Sequence, residues 1–286
     1  GLVDPLTAAE RPASERVDDG LPETLEEVVS HYKGRYYKLK VGGNVQADLD
    51  RLSRIAAVLD KGMGDYRCTF DGNEQYDDVD GIVELWRKVE ETPALARMVK
   101  STLFIEQPIK RQSALSRPVT ALAKYRPVII DESDGELSTF PEALKLGYAG
   151  VSTKNCKGFY KSILNAARVA RLGKGHFMSA EDLTTQPGVS VQQDLALVSL
   201  LGLTHVERNA HHFIDGMSVA PDGEQAAFLK AHPRLYHRGP GEPVRLTVQD
   251  GKLDLGSLGC PGFAVGAEMD FQSLKRMKDA PKEKIQ

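Results

Sequence analysis

From Tyr36 onward the chain alternates between short apolar runs and longer stretches in which apolar residues recur every three or four positions. Strands carry the first pattern and amphipathic helices the second, so the alternation predicts successive βα units and a parallel sheet. The expected strands are Tyr36 to Val41, Tyr66 to Phe70, Thr102 to Glu106, Val128 to Asp131, Gly150 to Lys154 and His176 to Ala180, with a weaker one at Thr204 to Glu207. Between them, Leu49, Leu52, Ile55, Ala56 and Leu59 mark a helix that Gly62 is expected to stop in a left-handed conformation. Further stripes run through Ile82, Trp86 and Val89, through Ile163, Ala167 and Ala170 before Gly173, and through Leu195, Val198 and Leu201 before Gly202. These faces are expected to cover the sheet. Element order alone leaves a closed (β/α) barrel and an open doubly wound sheet as alternatives.

Near the end of the chain the texture changes. Arg245 to Val248 and Lys252 to Leu255 flank Asp250-Gly251, two residues that tolerate positive φ, which predicts a β-hairpin. Gly239-Pro240-Gly241 and Pro261-Gly262 read as loops around it.

Composition narrows the function classes. With 286 residues, 41% hydrophobic and 27% charged, the chain can bury a substantial core, which excludes disorder as its dominant state. A net charge of −3 and a pI near 6.2 offer no basic field for nucleic acid. No apolar run is long enough to cross a bilayer, and the opening residues, with Asp4, Pro5 and Glu10, do not read as a secretory signal. Three cysteines, Cys68, Cys156 and Cys260, lie far apart without CxxC spacing, so neither a disulfide scaffold nor a thiolate zinc site is expected. The expected setting is the cytoplasm.

The candidate chemistry sits at the ends of the expected strands, where parallel α/β architectures build their active sites. Lys38 and Lys40 end the first, Asp71 follows the second, Glu106 ends the third, Asp131 and Glu132 the fourth, and Lys154 the fifth. Asp71, Glu106 and Asp131 would converge as hard oxygen ligands suited to Mg²⁺. Residues two apart on a strand face the same way, so Lys38 and Lys40 both point inward and each is expected to disfavour protonation of the other. Such lysines can serve as bases near neutral pH. Alternation sends only one of Asp131 and Glu132 inward.

The motifs Lys38-Leu39-Lys40, Asp71-Gly72-Asn73, Ile105-Glu106-Gln107-Pro108, Ile130-Asp131-Glu132-Ser133 and Ser152-Thr153-Lys154, in this order, resemble the barrel domain of the mandelate racemase and muconate lactonizing enzyme group of the enolase superfamily. The resemblance implies a modified TIM-type (β/α) barrel with about seven βα units visible here, a C-terminal hairpin contributing to a cap, and an N-terminal α+β capping domain that this sequence does not contain. It divides the chain into a remnant of the first strand and linker over residues 1–30, a catalytic barrel over 31–235, and a segment over 236–286 that packs with the cap. It implies Mg²⁺ held by Asp71, Glu106 and Asp131, Lys40 and Lys154 as acid and base on opposite faces of a small carboxylate substrate, and Lys38, Asn73 and Glu132 as supporting groups. The reaction it implies is removal of a proton α to a carboxylate through a metal-stabilised enediolate, with a racemase, epimerase or cycloisomerase outcome. A dehydratase of sugar acids or hydroxylated amino acids shares the first step. A catalytically silent barrel fragment or binding protein is the alternative of another class. Homo-oligomers are common in the group.

Several residues have blander readings. Glu181 and Asp182 end the run at Ala180 and could meet the polar end of a substrate, although Asp182 reads more simply as a helix cap. The adjacent His211 and His212 read as a surface loop pair, His205 and Arg208 could meet a distal carboxylate, and Cys156 reads as a small buried hydrophobe.

Overall fold

The computed structural model describes residues 4–181, 187–208 and 215–274. His211, His212 and Asp182 therefore lie outside the described residues. Helix α1 (Leu25–Tyr32) leads into β1 (Tyr36–Lys40), α2 (Val45–Gly62), β2 (Arg67–Asp71), α3 (Val79–Glu91), α4 (Ala96–Ser101) and β3 (Thr102–Glu106). There follow α5 (Thr120–Ala123), β4 (Val128–Ile130), α6 (Thr139–Lys145), β5 (Gly150–Thr153), α7 (Phe159–Leu172), β6 (Phe177–Ala180) and α8 (Val189–Leu200). The C-terminal part adds α9 (Asp222–Ala231) and the short strands β7 (Tyr236–His237) and β8 (Arg245–Leu246).

Strands β1 to β6 form one parallel sheet in strict chain order. A doubly wound sheet reverses direction at a switch point, whereas sequential order is that of a barrel wall. The seventh expected strand is reduced to a single parallel bridge between Glu207 and Glu181. Among the described residues β1 pairs only with β2, so the wall is curled but not closed. A cavity of about 560 Å³ lies between the free edge of β1 and the segment around Glu207, lined by Leu6, Leu39 and Val206 below and by Lys38, Lys40 and Glu207 at its polar end.

Two packed clusters support the sheet. In the larger, Ile82, Leu85, Trp86 and Val89 of α3 are fully buried with Phe70, Ile105, Val128 and Ile130. The smaller joins Val191, Leu195 and Val198 of α8 to Phe228 of α9 and to Tyr236, Val244 and Leu246. Removing such side chains from water supplies most of the favourable free energy.

Some local expectations change. Gly62 does not stop α2 in a left-handed conformation; it lies within the helix, and Met63 caps it in an extended one. Its role is close packing, because a Cβ at Gly62 would stand 2.7 Å from Val29 Cγ1 of α1. The residues before α1 do not extend as a strand over positions 4–6: Leu6 is buried and the carbonyls of Pro5 and Leu6 accept from Leu25 and Glu26 N–H, capping α1. The C-terminal hairpin is shorter than its pattern. Asp250 and Gly251 adopt positive φ and a single Gln249–Lys252 bridge closes the turn, but Arg245 and Leu246 pair instead with β7. Cys156 is exposed, not buried, because it lies on the one-turn 3₁₀ helix Asn155–Lys157.

Candidate active site at the C-terminal rim of the sheet

The rim is assembled by register. Lys40 of β1 lies beside Asp71 of β2, and Asp71 beside Glu106 of β3, so one row across three strands carries an amine and two acids. The loops after them are fixed by side chains as well as backbone. A Cβ at Gly72 would meet Pro108 Cα at 2.4 Å, so this position must be glycine for the loop after β2 to lie against that after β3. Asn73 N–H donates to Asp71 Oδ1 at 2.7 Å, orienting that carboxylate. Gln107 is fully buried; its side-chain amide Oε1 accepts from Asp131 N–H at 2.8 Å and Ser133 N–H at 3.2 Å, which ends β4 at Ile130 and turns Asp131 inward. Asp48 performs the same task after β1, accepting from the N–H groups of Gly42 and Gly43.

Lys38 stands among four carboxylates. Its Nζ lies 3.0 Å from Asp71, 3.0 Å from Glu106 and 3.1 Å from Glu207, and it also donates to Glu181. Lys40, on the same face, reaches Asp71 at 2.5 Å. On the far side, Lys154 meets Asp131 at 3.1 Å and donates to Glu181. Lys157 folds back from the 3₁₀ turn to donate to Asp131 Oδ1 at 2.5 Å and to the carbonyls of Asp131 and Ser152. Glu132 accepts from the Asn73 amide at the outer edge. Oxygens of Asp71, Glu106 and Glu181 lie within 4.8 Å of one another, a span that suits one cation.

Electrostatics follow from this packing. Burial opposes the Lys38 ammonium, but the carboxylates of Glu106, Asp71, Glu207 and Glu181 outweigh it and hold its pKa well above the ordinary lysine value. Lys40 is also raised: burial and the neighbouring Lys38 push it down, and Asp71 prevails. The expected lowering of Lys40 by Lys38 is thus present but outweighed by Asp71. Lys154 is raised too, with burial overcome by Asp131 and Glu181. Among the acids, burial lifts Glu106 well above the carboxylate range despite Lys38. Burial, only partly offset by Lys38, raises Glu181 to about 7. Asp131 goes the other way, because Lys157 and Lys154 overcome its burial.

The structure thus brings Lys38, Lys40, Asp71, Glu106, Asp131 and Lys154 onto one rim, with Asn73 and Glu132 at its edge. It adds Lys157 and Glu207, and it gives Glu181 a central position. His205 stacks on Tyr36 with ring centroids 4.7 Å apart.

No protein-family model and no curated protein matches the sequence. Solved structures do match. A muconate lactonizing enzyme from Mycobacterium smegmatis has a TM-score of 0.58 at 20% identity, covering 87% of this chain and 60% of that one. A mandelate racemase/muconate lactonizing protein from Paracoccus denitrificans PD1222, complexed with magnesium, has a TM-score of 0.50 at 18% identity over 64% of this chain and 47% of that one. A muconate cycloisomerase from Pseudomonas fluorescens is 22% identical over 60% of this chain and 43% of that one, with a TM-score of 0.46. The chain spans between 43% and 60% of the length of these three structures. Shared architecture across such distant sequences is a statement about the backbone: this chain has the barrel-type α/β fold of the muconate lactonizing and mandelate racemase proteins.

Proposed function

We propose that the protein is a Mg²⁺-dependent enzyme of the enolase-superfamily type, which removes a proton α to the carboxylate of a small organic acid. Racemisation, epimerisation or cycloisomerisation is the outcome favoured by two lysines flanking the acids. The observation that carries this reading is the strand order, in which Lys40 on β1 and Lys154 after β5 stand on either side of Asp71, Glu106 and Asp131.

Asp71 and Glu106, with Asp131 as the third ligand implied by the motif order, would hold the ion. All are hard oxygen donors, and the closeness of Asp71 and Glu106 oxygens fits this chemistry. When bound, the ion neutralises acids that otherwise keep the lysines protonated and offers positive charge to the substrate carboxylate as the α proton leaves. Lys40 takes the proton at the α carbon on one face and Lys154 returns one on the other. Asn73 and Gln107 keep Asp71 and Asp131 aimed inward, so little reorganisation accompanies reaction.

The test is α-deuteration of a panel of carboxylic acids in D₂O, followed by NMR. Exchange is expected only with Mg²⁺, and Lys40→Ala is expected to slow it by about 10²-fold or more. Exchange that persists in Lys40→Ala, or none across a broad panel, overturns the reading. Appearance of a 2-keto acid would instead indicate dehydration.

A further inference from the structure

The loops after β2 and β3 leave the sheet together, and three of their residues stand in the left-handed region that favours glycine: Asn73 at φ 42°, Glu74 at 67° and Gln107 at 31°. Each such residue costs energy that its surroundings must supply. All three proposed ligands depend on these turns. Asn73 N–H orients the Asp71 carboxylate, Gln107 directly follows Glu106, and the Gln107 side chain accepts from Asp131 N–H. Bonds of 2.9 to 3.0 Å from Gly72 N–H to the Glu106 carbonyl, from Glu74 N–H to that of Gln107 and from Tyr76 N–H to that of Pro108 continue the pairing past the rim, as far as the Tyr76–Ile109 bridge. Beyond that bridge stands Arg111. Its backbone N–H donates to Glu74 Oε1 at 2.7 Å, its Nε to the same oxygen at 2.8 Å, and its Nη2 to Oε2 at 2.5 Å.

We propose that Glu74 and Arg111 form a clasp that positions the metal ligands without touching them. By fastening the loop after β2 to the loop after β3, it fixes the separation of Asp71 and Glu106 and so sets the affinity of the rim for its cation. The inference rests on the proposed function for the identity of the ion and its ligands, and adds two positioning residues to it.

Geometry and charge support the assignment. A two-stranded ribbon as short as this one is marginal in water by itself, and the two acids at its base repel each other. Something must hold the ribbon closed. An exposed ion pair alone contributes little, but this carboxylate gathers three donors, two of them the prongs of one guanidinium, which fixes direction as well as distance. The Glu74 side chain is only 21% exposed, and Arg111 holds its carboxyl below the ordinary range, so the pair stays charged at neutral pH. Glu74 is itself one of the left-handed residues, so the clasp grips the turn that carries the Asp71-orienting N–H. A second link, from Lys110 Nζ to Asp77 Oδ1 at 2.5 Å, joins the same loops farther from the ligands.

Mg²⁺ titration of the full chain by calorimetry, at a temperature where circular dichroism shows every variant folded, tests this apart from turnover. Glu74→Ala is expected to bind Mg²⁺ about five-fold more weakly than the parent or worse, and Arg111→Ala about three-fold or worse, since outer residues that orient ligands tune metal affinity. The double variant is expected to match Glu74→Ala within about two-fold, because the two residues act as one unit. Lys88→Ala, which breaks the exposed pair with Glu84 on α3, is expected to bind as the parent does. Parent-like affinity in Glu74→Ala and Arg111→Ala overturns the inference, as does additive loss in the double variant or an equal loss in Lys88→Ala. Should an alanine variant fail to fold, Glu74→Gln and Arg111→Lys decide: weaker binding in both supports the clasp, and parent-like binding in both overturns it. Absence of Mg²⁺ binding in the parent removes the proposed function along with the inference, whereas parent binding with the wrong ranking removes the inference alone.

Discussion

Asp131 shows how one residue can carry both site geometry and stability. Lys157 and Lys154 outweigh its burial and hold its carboxyl below its ordinary value of 3.8. A depressed acid contributes stability that is complete above its unfolded value and is lost as pH falls toward its folded one. Urea midpoints of the metal-free protein are therefore expected to drop below about pH 4, and Asp131→Asn to flatten that drop while lowering the midpoint at neutral pH. An unchanged acid limb in Asp131→Asn would show that other carboxylates dominate. The thiols offer a simpler check. Burial raises Cys68 to about 11, with the Thr102 hydroxyl opposing, while Cys156 is exposed. Iodoacetamide at pH 8 is expected to modify Cys156 and spare Cys68 until the chain unfolds, as peptide mass spectrometry would show. The expected donors at five strand ends could be read from residue type and spacing, because a strand end is the same place whatever covers the sheet. Lys157 could not, since only the 3₁₀ turn after Lys154 folds it back onto Asp131. Glu181 and Glu207 follow the same strand-end rule, but Glu207 terminates a run too weak to form more than one bridge.

At the level of elements, periodicity located the helices and strands, and burial on the sheet explains the stripe of α3. The stripe of α7 expected to cover the sheet faces outward: Ile163, Ala167 and Ala170 are exposed, and Lys161, Ser162 and Asn165 are the buried residues of that helix. Periodicity was less informative about the glycines. Gly62 looks like a helix stop from its position after an apolar stripe, yet its meaning lies in Val29 of a distant helix. Gly72 belongs to the same class. Gly72→Ala would drive a methyl to 2.4 Å from Pro108 Cα, so the loops after β2 and β3 must separate. A loss of about 1–3 kcal/mol is expected in urea unfolding, with Mg²⁺ affinity falling as Asp71 and Glu106 move apart. Preserved stability and affinity would show that the two loops yield independently. The hairpin was legible as a turn but not as a pairing: Asp250-Gly251 determines where the chain reverses, whereas the partner of β8 is set by the smaller core.

Over the whole molecule, the distant ends of the described chain meet at Arg245. Its guanidinium is nearly buried and donates to the Asp19 carbonyl at 2.9 Å and to Asp215 at 2.7 Å, with Glu242 3.2 Å away. Arg245→Ala is expected to cost about 1–3 kcal/mol, because the Asp19 carbonyl and Asp215 lose a charged donor together. A variant as stable as the parent would mean that this junction is mechanically idle. No helix of the described residues is long and apolar enough to cross a membrane. Periodicity alone left barrel and doubly wound sheet undecided, because strand order is a property of pairing between distant residues and not of any local pattern; the ordered motifs at the strand ends pointed to the barrel, and the sheet has its strand order.

That strand order has a temporal side. Since each strand of the wall lies beside the one synthesised just before it, a nascent chain can lay down its rim from one end, and Lys38, Lys40, Asp71, Glu106 and Asp131 have all emerged from the ribosome before Lys154 is made. Two amines come first and three acids follow them, so the growing polypeptide gathers its negative charges in the company of positive ones already made.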